Sequence, residues 1–187
     1  MGVLRAKCVI VGDCTVGKSA ITQVFHSDGT MFPKNYTMTT GVEVCQKVIP
    51  VRERGDFVDI FMFDSAGKDV FSEICEKHWD DIGMLAVVFD VTDIESLNRV
   101  KNWRNKMKEH INPEKNIPSV LIGNKVDLDL RRQVTTEEGE ELAEQLGMTY
   151  FEVSAKGNEG IEAPFQYLAQ KFADHHQDSR ENVQMLE

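Results

Sequence analysis

Eight consecutive residues hold the densest chemistry in the chain: Gly12, Asp13, Cys14, Thr15, Val16, Gly17, Lys18 and Ser19. They fit the pattern of glycine, four residues, glycine, lysine, then serine or threonine. Glycine at 12 and 17 lets the backbone approach an anion closely. The successive amides from Asp13 to Ala20 then point partial positive charge at it. Lys18 can reach the outer phosphates of a nucleotide, and the Ser19 hydroxyl can ligate Mg²⁺. The motif needs a strand before it and a helix after it. The apolar run Cys8, Val9, Ile10, Val11 reads as that strand, and Ser19 to His26 as that helix. With both flanks present, a chance glycine turn is a poor alternative.

A phosphate loop does not choose its base. Asn124, Lys125, Val126 and Asp127 follow an apolar strand and can do so. A carboxylate at 127 can accept two parallel hydrogen bonds from the ring N–H and exocyclic amine of guanine, a donor pair that adenine lacks. Asn124 can tie this segment to the phosphate loop, and the stem of Lys125 can cover the base. Ser154, Ala155 and Lys156, after the next strand, offer backbone donors to the guanine oxygen. Taken alone, Asn124 to Asp127 also reads as an ordinary strand-end turn. The phosphate loop upstream and Ser154 to Lys156 downstream favour the base-reading role.

These segments need a scaffold that brings loop ends together. Val42 to Val51 and Phe57 to Phe63 read as an antiparallel hairpin. Thereafter strands and helices alternate. Leu85 to Phe89, Val120 to Ile122 and Tyr150 to Val153 are strands. Val70 to Trp79, Ser96 to His110 and Thr136 to Leu146 are helices, the last with a capping box from Thr135 and Glu138. Ile161, Phe165, Leu168 and Phe172 share one face of a closing helix. This alternation predicts an α/β fold with a mostly parallel sheet covered on both faces and ligands at the carboxyl ends of its strands. The Thr-rich stretch Thr30 to Gly41 is a long loop of the kind that carries function.

Composition bounds the partners. The 187 residues suffice for one domain with an ordinary core, expected over 1–175, with a polar, flexible tail over 176–187. A net charge of −10 argues against nucleic acid or an anionic membrane surface as a partner. The four cysteines, Cys8, Cys14, Cys45 and Cys75, show no metal or redox spacing and read as reduced thiols of a cytoplasmic protein. Ala6 stands where a myristoylation signal wants Ser or Thr, and the C-terminal residues hold no cysteine to prenylate, so no direct lipid anchor is expected.

The order and spacing of these motifs from Ala6 to about Phe172 resemble the Ras superfamily of small GTPases, its Rab branch in particular. That resemblance implies a P-loop NTPase G domain with a six-stranded sheet and five helices. It also implies a GTP/GDP and Mg²⁺ site with two switch segments. Thr39 matches the Mg²⁺-binding switch threonine, although Thr40 beside it leaves the register open. Phe32 matches the aromatic over the guanine edge, with a hydrophobic loop anchor as its bland alternative. Asp64, Ser65, Ala66, Gly67 and Lys68 match the second switch motif: Asp64 holds Mg²⁺ through water and the Gly67 amide meets the γ-phosphate. The chain departs from the family at Lys68, where a glutamine orients the attacking water. Lysine offers donors only, so slow GTP hydrolysis is expected. Cys14 and Thr15 crowd the space that a partner's arginine would need.

Ser27, Asp28 and Gly29, the run Thr37 to Gly41, and Phe71, Ser72 and Glu73 after the second switch narrow the resemblance to the Rab-like GTPases of intraflagellar transport. This implies residence in cilia or flagella and pairing with a small β-sandwich subunit of the transport complex. Two readings stay open: a slow GTP-hydrolysing switch, and a GTP-binding structural subunit with negligible hydrolysis. A membrane-cycling Rab is a third. His26, His78, His110, His175 and His176 lack metal-ligand spacing, and Trp79 and Trp103 read as core or edge anchors. The acidic residues from Glu137 to Glu144 read as a solvated helix face.

Overall fold

The computed structural model describes residues 2–51 and 55–184, of which 178–184 are described as backbone only. Met1, Arg52, Glu53 and Arg54, where the sequence reading puts the connection of the hairpin, and residues 185–187 lie outside the described residues. The strands are β1 (Val3–Val11), β2 (Val42–Pro50), β3 (Phe57–Ser65), β4 (Met84–Asp90), β5 (Ser119–Asn124) and β6 (Thr149–Val153). They form one sheet in the order β2-β3-β1-β4-β5-β6. Only β2 runs antiparallel to its neighbour, in the register Val42↔Ser65 to Pro50↔Phe57. The remaining pairs are parallel. This is the expected α/β fold.

Strand β1 begins five residues earlier than its apolar run. It pairs with β3 from Val3 onward but with β4 only from Cys8. The first half therefore has one strand neighbour, and polar residues such as Arg5 and Lys7 interrupt the apolar pattern there. Buried β4 and β5 have no exposed residue along their length, as continuous apolar strands of a parallel sheet should.

Each face of the sheet has its own core. On one, Ile21, Val24 and Phe25 of α1 (Lys18–His26) and Phe165 and Leu168 of α6 (Glu162–Gln184) pack on Cys8, Ile10, Ile60 and Val120. The other face is covered by α2 (Ser72–Glu76), α3 (Ile94–Asn98), α4 (Val100–Lys108) and α5 (Thr136–Leu146), with Trp79, Trp103 and Leu142 inside. Phe25 and Phe165 stack with centroids 4.1 Å apart, joining α1 to α6.

Three helices differ from their sequence reading. The span from Val70 to Trp79 holds a 3₁₀ turn (Asp69–Phe71) and the short α2. Trp79 itself lies past the helix, buried, and donates from Nε1 to Ser65 Oγ at 3.0 Å. The helix from Ser96 to His110 is divided at Arg99 into α3 and α4, although the ladder continues through it, from the Arg99 amide to Glu95 and from the Trp103 amide to Arg99. Finally, α6 crosses the expected domain end at 175 and runs to Gln184. No glycine or proline follows Pro164 to stop it. The capping box of α5 forms as read, Thr135 Oγ1 accepting from the Glu138 amide at 3.2 Å and Glu138 from the Thr135 amide at 2.8 Å.

Candidate nucleotide site

The loop after β1 takes its shape from close backbone approaches. Gly12 has φ +143, and a Cβ there would lie 2.2 Å from the Val88 carbonyl oxygen. Gly17 has φ +99, and its Cβ would meet Asn124 Nδ2 at 2.2 Å. No other residue type fits either position. Thr15 also has a left-handed backbone, φ +65, which is costly for a β-branched residue. Helix α1 begins at Lys18, so its unpaired first-turn amides end at this loop. Lys18 is buried and donates from Nζ to the carbonyls of Gly12 at 2.9 Å and Asp13 at 2.7 Å. Burial pulls its pKa below the ordinary lysine value, against the pull of Asp64 and Asp13.

The Ser19 hydroxyl donates to Asp64 Oδ2 and lies 3.1 Å from Thr39 Oγ1. Asp64 comes from β3 and is 2% exposed. Burial pushes its carboxyl up to about 6, with Ser19 and Lys18 opposing the shift. Its Oδ1 is buried without a hydrogen-bond partner among the described residues. A buried carboxylate oxygen with no donor, beside two hydroxyls, fits a hard divalent cation with oxygen ligands. Of the two adjacent threonines, Thr39 is the one beside Ser19, and Thr40 is exposed. Among the described residues no three His, Cys, Asp or Glu side chains gather as another metal site.

The second switch motif closes on the same loop. A Cβ at Gly67 would fall 2.3 Å from the Cys14 amide nitrogen and 2.4 Å from the Asp13 carbonyl carbon. Only a glycine lets the two segments touch in this way. Cys14, Thr15, Lys18, Thr39, Gly67 and Lys68 line one small pocket there. Lys68 is exposed on its wall, and among the described residues none accepts a hydrogen bond from its ammonium. Phe32 is 43% exposed.

On the base side, Asn124 is buried at the end of β5. Its Nδ2 donates to the Val16 carbonyl at 2.9 Å and its Oδ1 accepts from the Ala155 amide at 3.2 Å. One side chain thus joins three loops. The Ala155 amide, expected to serve the base, is engaged by Asn124 in this structure. Ser154 Oγ donates to Asp127 Oδ1 at 2.6 Å and accepts from the Gly157 amide at 2.8 Å, which fixes the Asp127 carboxylate. Lys125 has φ +72, and its Nζ lies 2.5 Å from Asp90 Oδ2. Lys156 is exposed beside them.

Two networks escaped the sequence reading. Asp13 Oδ1 accepts from Trp103 Nε1 at 2.8 Å, and its Oδ2 is paired with Arg99 Nε. Glu152 accepts from Arg132 Nη1 and Nη2 at 2.8 and 2.9 Å, from Tyr150 Oη at 2.9 Å and from Thr136 Oγ1 at 3.0 Å. The pair links the segment after Asp127 to the strand that leads into Ser154. Apart from Tyr150, two residues before Glu152, the partners are distant in sequence, so no local pattern marks either network. The cysteines remain free thiols, and burial pushes Cys8 up to about 12 and Cys45 to about 11. Among the described residues no helix is long and apolar enough to cross a membrane.

The profile of the Ras family matches residues 7–174. The intraflagellar transport protein 27 homologs of Bos taurus and Homo sapiens are each 45% identical over 183 residues, 98% of this chain and 98% and 96% of the relatives. Intraflagellar transport protein 27 of Chlamydomonas reinhardtii is 35% identical over 179 residues, covering 94% of this chain and 87% of that protein. The family match includes Gly12 to Ser19, Thr39, Asp64 to Lys68, Asn124 to Asp127 and Ser154 to Lys156. The chain belongs to the Ras family of small GTPases.

Proposed function

We propose that this GTPase binds GTP and GDP with Mg²⁺ and hydrolyses GTP slowly, as a Rab-like subunit of the intraflagellar transport machinery. The single observation that carries the nucleotide reading is the convergence of Ser19, Thr39 and Asp64, with one buried Asp64 oxygen lacking a donor. Ser19 and Thr39 would hold the cation directly and Asp64 through water. When bound, Mg²⁺ neutralises charge on the outer phosphates.

The chain's own residues supply the rest. Lys18 exchanges its two carbonyl partners for phosphate oxygens, and the Gly67 amide meets the γ-phosphate. Asp127 orients guanine through its two oxygens, with Ser154 holding it in place. Asn124 keeps the phosphate and base loops at a fixed separation. Lys68 has no acceptor with which to orient a water, so the water remains poorly aligned and turnover is slow.

The transport role rests on the names of the relatives. On this reading the protein works in the cytoplasm and in the cilium or flagellum, with the small β-sandwich subunit of the complex as its partner. The full-length protein tests the nucleotide reading by displacement of a fluorescent guanine nucleotide. GTP should compete and ATP should not, EDTA should weaken retention, and Asp127→Asn should lose guanine preference. Equal competition by ATP would refute it.

A further inference from the structure

Arg99, Trp103 and Lys106 follow one another at spacings of four and three and so lie on one stripe of α4 and the junction before it. Two of them reach the phosphate loop and the third reaches α2. Arg99 Nε and Trp103 Nε1 take the two oxygens of Asp13, a side chain that is 13% exposed. Lys106 Nζ donates to Ser72 Oγ at 2.7 Å and lies 2.9 Å from Glu76 Oε1, so it holds both ends of α2. Helix α2 follows Lys68 directly after a single 3₁₀ turn. The stripe therefore grips the phosphate loop with two residues and the second switch with a third.

The two gripped segments meet each other at one place. The Asp13–Cys14 backbone is the surface against which Gly67 packs so closely that a Cβ would overlap it. The backbone of Asp13 also accepts from Lys18 Nζ at 2.7 Å. Asp13 thus joins the helical stripe, the phosphate-binding lysine and the glycine whose amide is assigned to the γ-phosphate.

We infer that Arg99, Trp103 and Lys106 are positioning residues that set the phosphate loop and the second switch in register, and thereby determine how firmly the γ-phosphate is held relative to the rest of the nucleotide. This rests on the guanine-nucleotide reading above. GDP reaches Lys18, Ser19, Asn124 and Asp127 without using the contact between Gly67 and Cys14. GTP uses that contact as well. Loosening the stripe should therefore shorten the life of the GTP complex more than that of the GDP complex. A merely structural loss would shorten both alike.

The test is release of ribose-labelled GDP and of a labelled non-hydrolysable GTP analogue from the full-length protein, chased with excess unlabelled GDP. Arg99→Gln and Lys106→Met change partly exposed side chains and should fold, and Trp103→Phe keeps an aromatic ring, smaller than the indole, at the buried position while removing the N–H donor. Each variant should release the GTP analogue roughly three- to tenfold faster than the native protein, as expected for one charge-assisted hydrogen bond partly screened by solvent. GDP release should change much less. Equal acceleration of both nucleotides, or no change in either, overturns the inference. If the native protein retains neither nucleotide, the reading of the site fails, and this inference with it.

Discussion

Asn124 donates to the Val16 carbonyl at 2.9 Å across 108 residues of sequence, and the same amide accepts from Ala155. The Gly12 to Ser19 loop and the segments that begin at Asn124 and Ser154 are thus anchored on one buried side chain. Asn124→Ala would leave a buried carbonyl and a buried amide without partners. The cost should be about 2–4 kcal/mol of folding stability. Urea unfolding of the nucleotide-free protein reads it directly, and an unchanged midpoint would show that the loops are held apart by other means.

Thr15 holds φ +65 with a branched side chain, and among the described residues its hydroxyl bonds only to the adjacent Cys14 carbonyl, at 2.6 Å. Glycine adopts this backbone freely but has more freedom to lose on folding. The relief of strain outweighs that loss, so Thr15→Gly should stabilise the fold by roughly 1 kcal/mol. A destabilised variant in thermal or urea unfolding would place the strain elsewhere.

Glu152 gives the protein a defined response to acid. Its hydrogen bond from Arg132 is the largest influence on it, and with Tyr150 and Thr136 it holds the carboxyl below the usual glutamate range. A depressed folded pKa means stability that is present above the unfolded value of about 4.3 and lost as pH falls through the folded value. At neutral pH Glu152→Gln should cost about 1–3 kcal/mol. The gap between native and variant should narrow as the pH is lowered from about 4.3. A gap constant from pH 7 to pH 3 would contradict the ionic account.

Gly139 lies inside α5, where alanine would ordinarily stabilise a helix. Here its Cβ would sit 2.4 Å from the Tyr150 ring. Gly139→Ala should therefore destabilise the protein by about 1–3 kcal/mol, as overpacking does. A rise in melting temperature would mean that Tyr150 can move aside without losing Glu152.

Much of this arrangement was legible in the residues themselves. Gly12 to Ser19 declared a strand, a turn and a helix together, and the apolar runs of β4 and β5 needed no context. Thr135 and Glu138 marked the start of α5 because capping is local. The first half of β1 was hidden, since one missing strand neighbour lets Arg5 and Lys7 break the apolar pattern. Trp103 read only as an anchor, because an indole shows its packing in sequence but not the Asp13 carboxylate 90 residues away. Arg132 and Glu152 were hidden for the same reason. The long-range hydrogen bonds that seat the loops follow from the topology, and no spacing rule announces them.

We propose that this site binds GTP and turns it over slowly because Lys68 cannot orient water. Single-turnover hydrolysis of preloaded GTP, with Mg²⁺ and without partners, tests it in the native protein beside Lys68→Gln. A slow native rate and a clear acceleration in the glutamine variant are expected. Equal rates in the two proteins at the pace of an ordinary small GTPase would contradict it.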